Sequence, residues 1–124
     1  MTRLPPAFAA GLRHFNAGRY FAAHEAFEEL LDEVEDERWD LLVALIQVAV
    51  GYHKAAEGHP GAARMLGLGA AKLARFPAVV AGVDVAGLRA RVAEDLAAVE
   101  SGGSGGSLAD RLAAAPPRLR MRAG

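Results

Sequence analysis

The sequence predicts an all-α protein, a compact bundle of about five helices with tetratricopeptide-like helix pairs around a central buried helix. Three observations predict it. Apolar residues make up 52% of 124 residues, with 14 glycines among the rest, a composition suited to helices that approach closely through small side chains. Apolar positions recur at helical spacing through most of the chain. The only β-branched cluster, Val79, Val80 and Val83, is broken by Gly82. The length suits one domain with a modest core, read here as a helical domain over 1–100, a Gly/Ser linker over 101–107, and a short helix with a basic tail over 108–124.

The first helix starts near Pro5-Pro6, where proline suits a helix entrance. Leu4, Phe8, Gly11, Leu12 and Phe15 form one face, and Asn16-Ala17-Gly18 is a stop signal. A second helix is expected over Tyr20 to Val34. At about 100° per residue, Tyr20, Ala23, Phe27, Leu30, Leu31 and Val34 fall inward. Glu25, Glu29 and Glu33 form an i, i+4 row of like charge that should face water. His24 and Glu28 sit on the shoulder between the two groups.

The third helix, about Glu37 to Glu57, is apolar nearly all round, which marks it as the buried hub. Trp39, Leu42, Val43, Leu45, Ile46, Ala49, Val50 and Tyr52 cover most of its circumference, leaving a narrow polar strip of Asp40, Gln47, Gly51 and Lys54. His53 falls beside Trp39, Ile46 and Val50, in the sector expected to face the core.

Gly58-His59-Pro60-Gly61 breaks the chain before a fourth helix, about Gly61 to Arg75. Its small residues Ala63, Gly67, Ala70 and Ala74 are expected to admit a neighbouring backbone. Asp84 is a good N-cap for a fifth helix carrying Val85, Leu88, Val92, Leu96 and Val99. A short helix over Leu108 to Ala115 follows the linker. The alternating Arg118-Leu119-Arg120-Met121-Arg122 then reads as a mobile tail, or alternatively as a segment that touches an acidic surface such as the Glu25 to Asp40 patch. A faint repeat relates Gly18-Arg-Tyr-Phe-Ala-Ala to Gly58-His-Pro-Gly-Ala-Ala at an offset of 40 residues, and loosely resembles the turn of tetratricopeptide helix pairs.

Charge and composition exclude several function classes. The net charge is −1, but residues 1–57 carry 5 bases and 10 acids while residues 58–124 carry 9 and 5. The acidic front half argues against nucleic-acid binding. The asymmetry permits head-to-tail contact between two copies, so a homodimer is one possible partner state beside the simpler reading of two differently charged solvated faces. No run approaches the roughly 18 apolar residues that span a bilayer, and the start lacks a signal-peptide apolar segment. No membrane partner and a cytoplasmic location are the expectations. The absence of cysteine excludes thiol catalysis and Cys-ligated zinc. Ser101, Ser104 and Ser107 all stand in the linker, so a serine-hydrolase triad has no nucleophile, and the glycines at 102–106 lack the Lys-Ser/Thr of a phosphate-cradling loop.

One set of residues carries chemistry. His24 and Glu28 lie one turn apart, and His53 of the next helix supplies a third donor. His24, Glu28 and His53 are therefore the candidate metal ligands, which would support metal-assisted hydrolysis. The zinc-protease signature itself is absent, since Glu28 stands where its second histidine belongs. Without metal, Glu28 could act as a base tuned by His24. The structural alternative is that His24 and Glu28 bond each other and a backbone group or Gln47, and pin the second helix to the third. The favoured function is a non-enzymatic protein- or ligand-binding module; the alternative is a metal-dependent or acid-base hydrolase-like enzyme with its His/Glu site between these two helices.

Phe15-Asn16-x-Gly18, Ala23-His24-Glu25-x-x-Glu28, Leu45-Ile46-Gln47-x-Ala49, His53 and Gly58-x-x-Gly61-Ala62 occur in that order. The combination resembles domain-of-unknown-function family 309, over about residues 7–75. The resemblance implies an all-helical bundle and no established activity, substrate or cofactor. It points to His24, Glu25, Glu28, Gln47 and His53 as the shared polar positions, here taken as the ligand-binding set. The family pattern favours tryptophan where Phe27 and Leu31 stand, glutamate at Ala22, glycine at Ala44 and asparagine at His59, so the wall near His24 differs in this chain.

Overall fold

A computed structural model describes residues 3–100 and 108–122; the linker expected over 101–107 lies outside the described residues. The fold is all-α apart from one small hairpin. Six helices are described: α1 (Phe8–Asn16), α2 (Tyr20–Glu29), α3 (Asp36–Ala56), α4 (Ala62–Leu73), α5 (Val85–Glu100) and α6 (Leu108–Ala114). Strands β1 (Val79–Val80) and β2 (Val83–Asp84) lie between α4 and α5. None of the described helices is long and apolar enough to cross a membrane.

The local chemistry of the glycines sets the helix ends. α1 and α3 both stop in a Schellman motif. Gly18 (φ 80°) and Gly58 (φ 69°) take the left-handed position. The next amides close the turn, Arg19 N–H donating to His14 O at 2.9 Å and His59 N–H to Lys54 O at 2.8 Å. The 40-residue repeat in the sequence is thus a repeat of one helix-ending device. α2 is shorter than expected, since a 3-10 turn over Leu31–Glu33 replaces its last turn. At the start of α3, Asp36 has φ 60°, and its Oδ1 accepts the Arg38 backbone N–H at 3.0 Å. That bond is the main reason its carboxyl titrates below the ordinary aspartate range.

α3 is the hub, packing most extensively on α4 and then on α2. Its buried side runs through Leu41, Leu42, Ala44, Leu45, Val48, Ala49, Gly51, Tyr52 and Ala55. This corrects two expectations. Gly51 belongs to the buried side, because it is where α4 comes closest: a Cβ there would lie 2.7 Å from Leu66 Cδ2 and 3.0 Å from the Leu66 backbone nitrogen. Trp39, counted with the buried circumference, is 44% exposed. α4 reciprocates through Gly69, whose Cβ would meet Val48 Cγ2 at 2.7 Å. Its buried stripe is Ala62, Leu66, Gly69 and Leu73, not the expected row of Ala63, Gly67, Ala70 and Ala74.

α1 and α2 close the other side of α3. The Phe27 ring stacks on Phe8 at 5.3 Å between centroids and presses directly against Gly11. Phe15, Tyr20 and Tyr52 form a three-ring cluster with centroids 5.4–6.1 Å apart.

The hairpin turn, Ala81 (φ 50°) and Gly82 (φ 86°), has the positive-φ pair of a primed turn that suits strand twist. Asp84 caps α5 as expected, its Oδ1 accepting Gly87 N–H at 3.0 Å.

The basic stretch expected to be a mobile tail is docked instead. Leu119 is 1% exposed, and its backbone makes two bonds to the Asn16 amide. Its N–H donates to Oδ1 at 2.7 Å and its carbonyl accepts from Nδ2 at 3.0 Å. On its other side, Asp84 N–H donates to Arg120 O at 2.9 Å and Met121 bridges Val83. Alternation of Arg with Leu and Met is the period-2 pattern of a half-buried extended segment, and here it lines the edge of the hairpin.

Candidate functional site

Of the five expected site residues, α2 and α3 bring His24 and His53 to one junction, and the set does not converge on one point. By helical angle Ala23 and Phe27 turn inward and Glu25 turns outward; Ala23 and Phe27 are buried and Glu25 is exposed. His24 stands on the shoulder with 17% of its side chain exposed. Its Nδ1 lies 2.6 Å from the Phe21 carbonyl. A carbonyl only accepts, so Nδ1 carries the hydrogen and donates. Nε2 is then the nitrogen facing Glu28 Oε2, at 3.7 Å. Glu28 is 61% exposed, so it stays largely in water rather than turning into the α2/α3 junction.

His53 lies at the rim rather than in the core, with its Nε2 3.2 Å from Glu57 Oε1 on its own helix. The two histidines meet through a residue the sequence reading passed over. The Phe21 ring packs edge-on against His24 at 4.8 Å and tilted against His53 at 5.2 Å, and remains 52% exposed. The signal was present, an aromatic one turn before His24 on the same shoulder. The α2–α3 tie at this junction is therefore aromatic; the backbone bond that the structural alternative allows is present, His24 to the Phe21 carbonyl, but it lies within α2.

Gln47 is half-buried, and its Oε1 is buried without a hydrogen-bond partner. A bare buried acceptor costs about 1–3 kcal/mol, so a donor delivered to this point would be stabilised. The proposed ligand set His24, Glu28 and His53 does not fit a metal. One histidine nitrogen is committed to its own backbone, each imidazole faces a carboxylate of its own helix, and a phenyl ring touches both. Among the described residues no group of three His, Asp or Glu side chains could hold a metal ion.

The junction continues along α3. Trp39, Val43, Ile46, Val50, His53 and Glu57 succeed one another at intervals of 4, 3, 4, 3 and 4 residues, all exposed or half-buried. That is the spacing of a helix–helix seam. The residues seven apart along one flank, Asp40, Gln47 and Lys54, are the polar strip recognised in the sequence, less Gly51.

A second polar cluster lies on the opposite side of α3. Asp95 of α5 is 0% exposed. It accepts from the Tyr52 hydroxyl at 2.7 Å, from Arg91 Nε at 3.0 Å and from Arg111 Nε at 2.9 Å. Arg91 also donates to the Ala115 carbonyl. Burial, then the bond to Asp95 and its charge, push the Tyr52 hydroxyl pKa up, so it stays a donor. With its carboxylate closed to solvent, this cluster clasps α5 and α6 to α3 rather than forming a reaction site.

A family model described as Domain of unknown function (DUF309) matches residues 8–66, from α1 into α4, and so contains all five candidate residues. The chain matches no curated protein and no solved structure.

Proposed function

We propose, for a chain that belongs to the DUF309 family through residues 8–66, that it is a non-enzymatic protein-binding module whose contact surface is the α2/α3 junction. One observation carries the reading. Phe21 is held half exposed against two imidazoles, beside a seam-spaced stripe on α3 that ends in the exposed Trp39. Large aromatic side chains at a rigid, partly desolvated position are the residues that anchor protein interfaces. In this reading His24 and His53 fix the Phe21 ring, Gln47 offers an amide, and Glu25 and Glu28 form the polar rim. The fitting partner is an amphipathic helix, which would lay apolar anchors at i, i+3, i+4 and i+7 along the stripe.

A photo-crosslinking residue at Ile46, in the full chain expressed in cells, tests this reading. Ile46 should give discrete protein adducts, and the same group at the exposed Ala97 of α5 should not. Identical patterns from the two positions, or none from Ile46, would remove the proposal.

A further inference from the structure

We propose that the α3 stripe packs antiparallel against the same stripe of a second copy of this chain, with Asp40 facing Lys54 of the partner subunit. The inference rests on the binding reading above and names the partner.

The spacing supplies the first argument. Trp39, Val43, Ile46, Val50, His53 and Glu57 form a continuous seam at alternating intervals of 4 and 3 residues, which keeps one side of a helix turned toward a facing helix. The opposite side of α3 is already buried against its own domain, so the seam is the side of the hub left for a partner.

The charge along the flank supplies the second argument, and it chooses both partner and direction. Asp40, Gln47 and Lys54 read acid, neutral amide, base at 7-residue steps. When two such flanks run antiparallel about Gln47, each acid meets a base and Gln47 meets its own copy on the two-fold axis. This is the self-complementarity that an isologous interface requires. Run parallel, the flank of one copy would lie across the seam from that of the other, so Asp40 would not reach Lys54 of the partner subunit, and Glu35, Asp36 and Glu37 would stand level with their copies. Like charges so placed oppose association. An unrelated helix would satisfy the seam but would not require the flank to be its own complement.

Size limits the affinity. From Trp39 to Glu57 the seam is about 27 Å long at 1.5 Å per residue, and a helix with side chains is about 10 Å wide. The resulting footprint of about 270 Å² per copy falls well below the roughly 800 Å² per partner of a standard stable interface. Phe21 and neighbouring ridges enlarge it, but the dimer is expected to be weak, exchanging, and dependent on concentration in the micromolar range.

The test is sedimentation velocity on the full chain across micromolar to submillimolar concentration, with charge exchanges on the flank. Wild type should shift from monomer toward dimer. D40K and K54D should each weaken self-association at least tenfold, since each places like charges opposite one another. A 1:1 mixture of D40K and K54D should recover dimer as a heterodimer, and the double variant D40K/K54D should recover it alone. These are surface charge changes, and circular dichroism confirms that each variant is folded. A wild-type chain monomeric throughout overturns the proposal, and so does a dimer that ignores both substitutions or singles that the mixture fails to rescue. If the chain is monomeric while Ile46 still crosslinks to a different protein, this inference falls and the binding reading stands. If both experiments fail, both fall.

Discussion

Replacing Asp95 by alanine tests whether the second polar cluster holds the two ends of the bundle together. Three donors converge on this carboxylate, Tyr52 Oη at 2.7 Å, Arg91 Nε at 3.0 Å and Arg111 Nε at 2.9 Å. Removing the acceptor leaves a tyrosine hydroxyl bare in a 0% exposed residue and two guanidinium groups without a counter-charge. Breaking a buried pair from one side costs about 3–5 kcal/mol. Here the two arginines keep 20% and 33% exposure and can turn partly to water, so the lower end, about 3 kcal/mol, applies. Asparagine keeps the shape and an acceptor for Tyr52 but loses the charge, so Asp95→Asn should cost about half as much. Urea unfolding of the full chain at pH 7 reads both values. With a slope near 1.5 kcal/mol per molar, alanine lowers the midpoint by about 2 M without changing the slope. An Asp95→Ala loss below about 1 kcal/mol, or an Asn variant less stable than the Ala variant, would refute the clasp.

The same cluster predicts an alkaline limit. The Tyr52 hydroxyl pKa is raised above its ordinary 10.0, first by burial and then by Asp95. A raised folded-state pKa contributes stability that is complete below the unfolded value and is lost as pH climbs above it. Wild-type stability should therefore fall above about pH 10 by up to ~1.4 kcal/mol per pH unit for this group. Tyr52→Phe should cost about 1–3 kcal/mol at pH 7 yet show a shallower alkaline decline; equal slopes in urea midpoints between pH 8 and 11 would contradict this. Two glycine-to-alanine changes should have opposite signs in thermal melts. Gly51→Ala drives a Cβ to 2.7 Å from Leu66 and 3.0 Å from its backbone, and should cost about 1–3 kcal/mol. Gly67→Ala meets nothing within 4 Å inside the same helix layer, and should gain about 0.5–1 kcal/mol.

How much of this was legible in the sequence depended on whether each helix carried a clear phase. α1 is amphipathic, and of its expected face Leu4, Phe8, Gly11 and Phe15 are buried while Leu12 is half-buried. α5 is likewise buried through Val85, Leu88 and Val92, although Val99 near its end is exposed. α3 is apolar almost all round, so hydropathy gives no direction. The true phase was written in small residues, Ala44, Gly51 and Ala55, which mark where α4 approaches, while large residues such as Trp39 were left for the surface. The His24 shoulder position was legible because it follows from angle alone. The chemistry there was not legible, because Phe21 meets His53 only after α2 packs on α3. Asp95 was hidden for a similar reason. Arg91 lies one turn away in sequence, but Tyr52 and Arg111 reach it from 43 and 16 residues off.

The pairing of Asn16 with Leu119 spans 103 residues, and this gives the chain a particular order of completion. During synthesis α1 to α4 can assemble as soon as they emerge, since their contacts are between neighbours along the chain. Until residues 119–122 arrive, the outer edge of β2 stays uncovered and Asn16 keeps an unmatched amide. A chain halted before Leu119 therefore presents an open strand edge, the feature by which unfinished proteins find one another. Residues 119–122 thus act as a seal on the outer edge of β2, closing it to strand pairing with other copies.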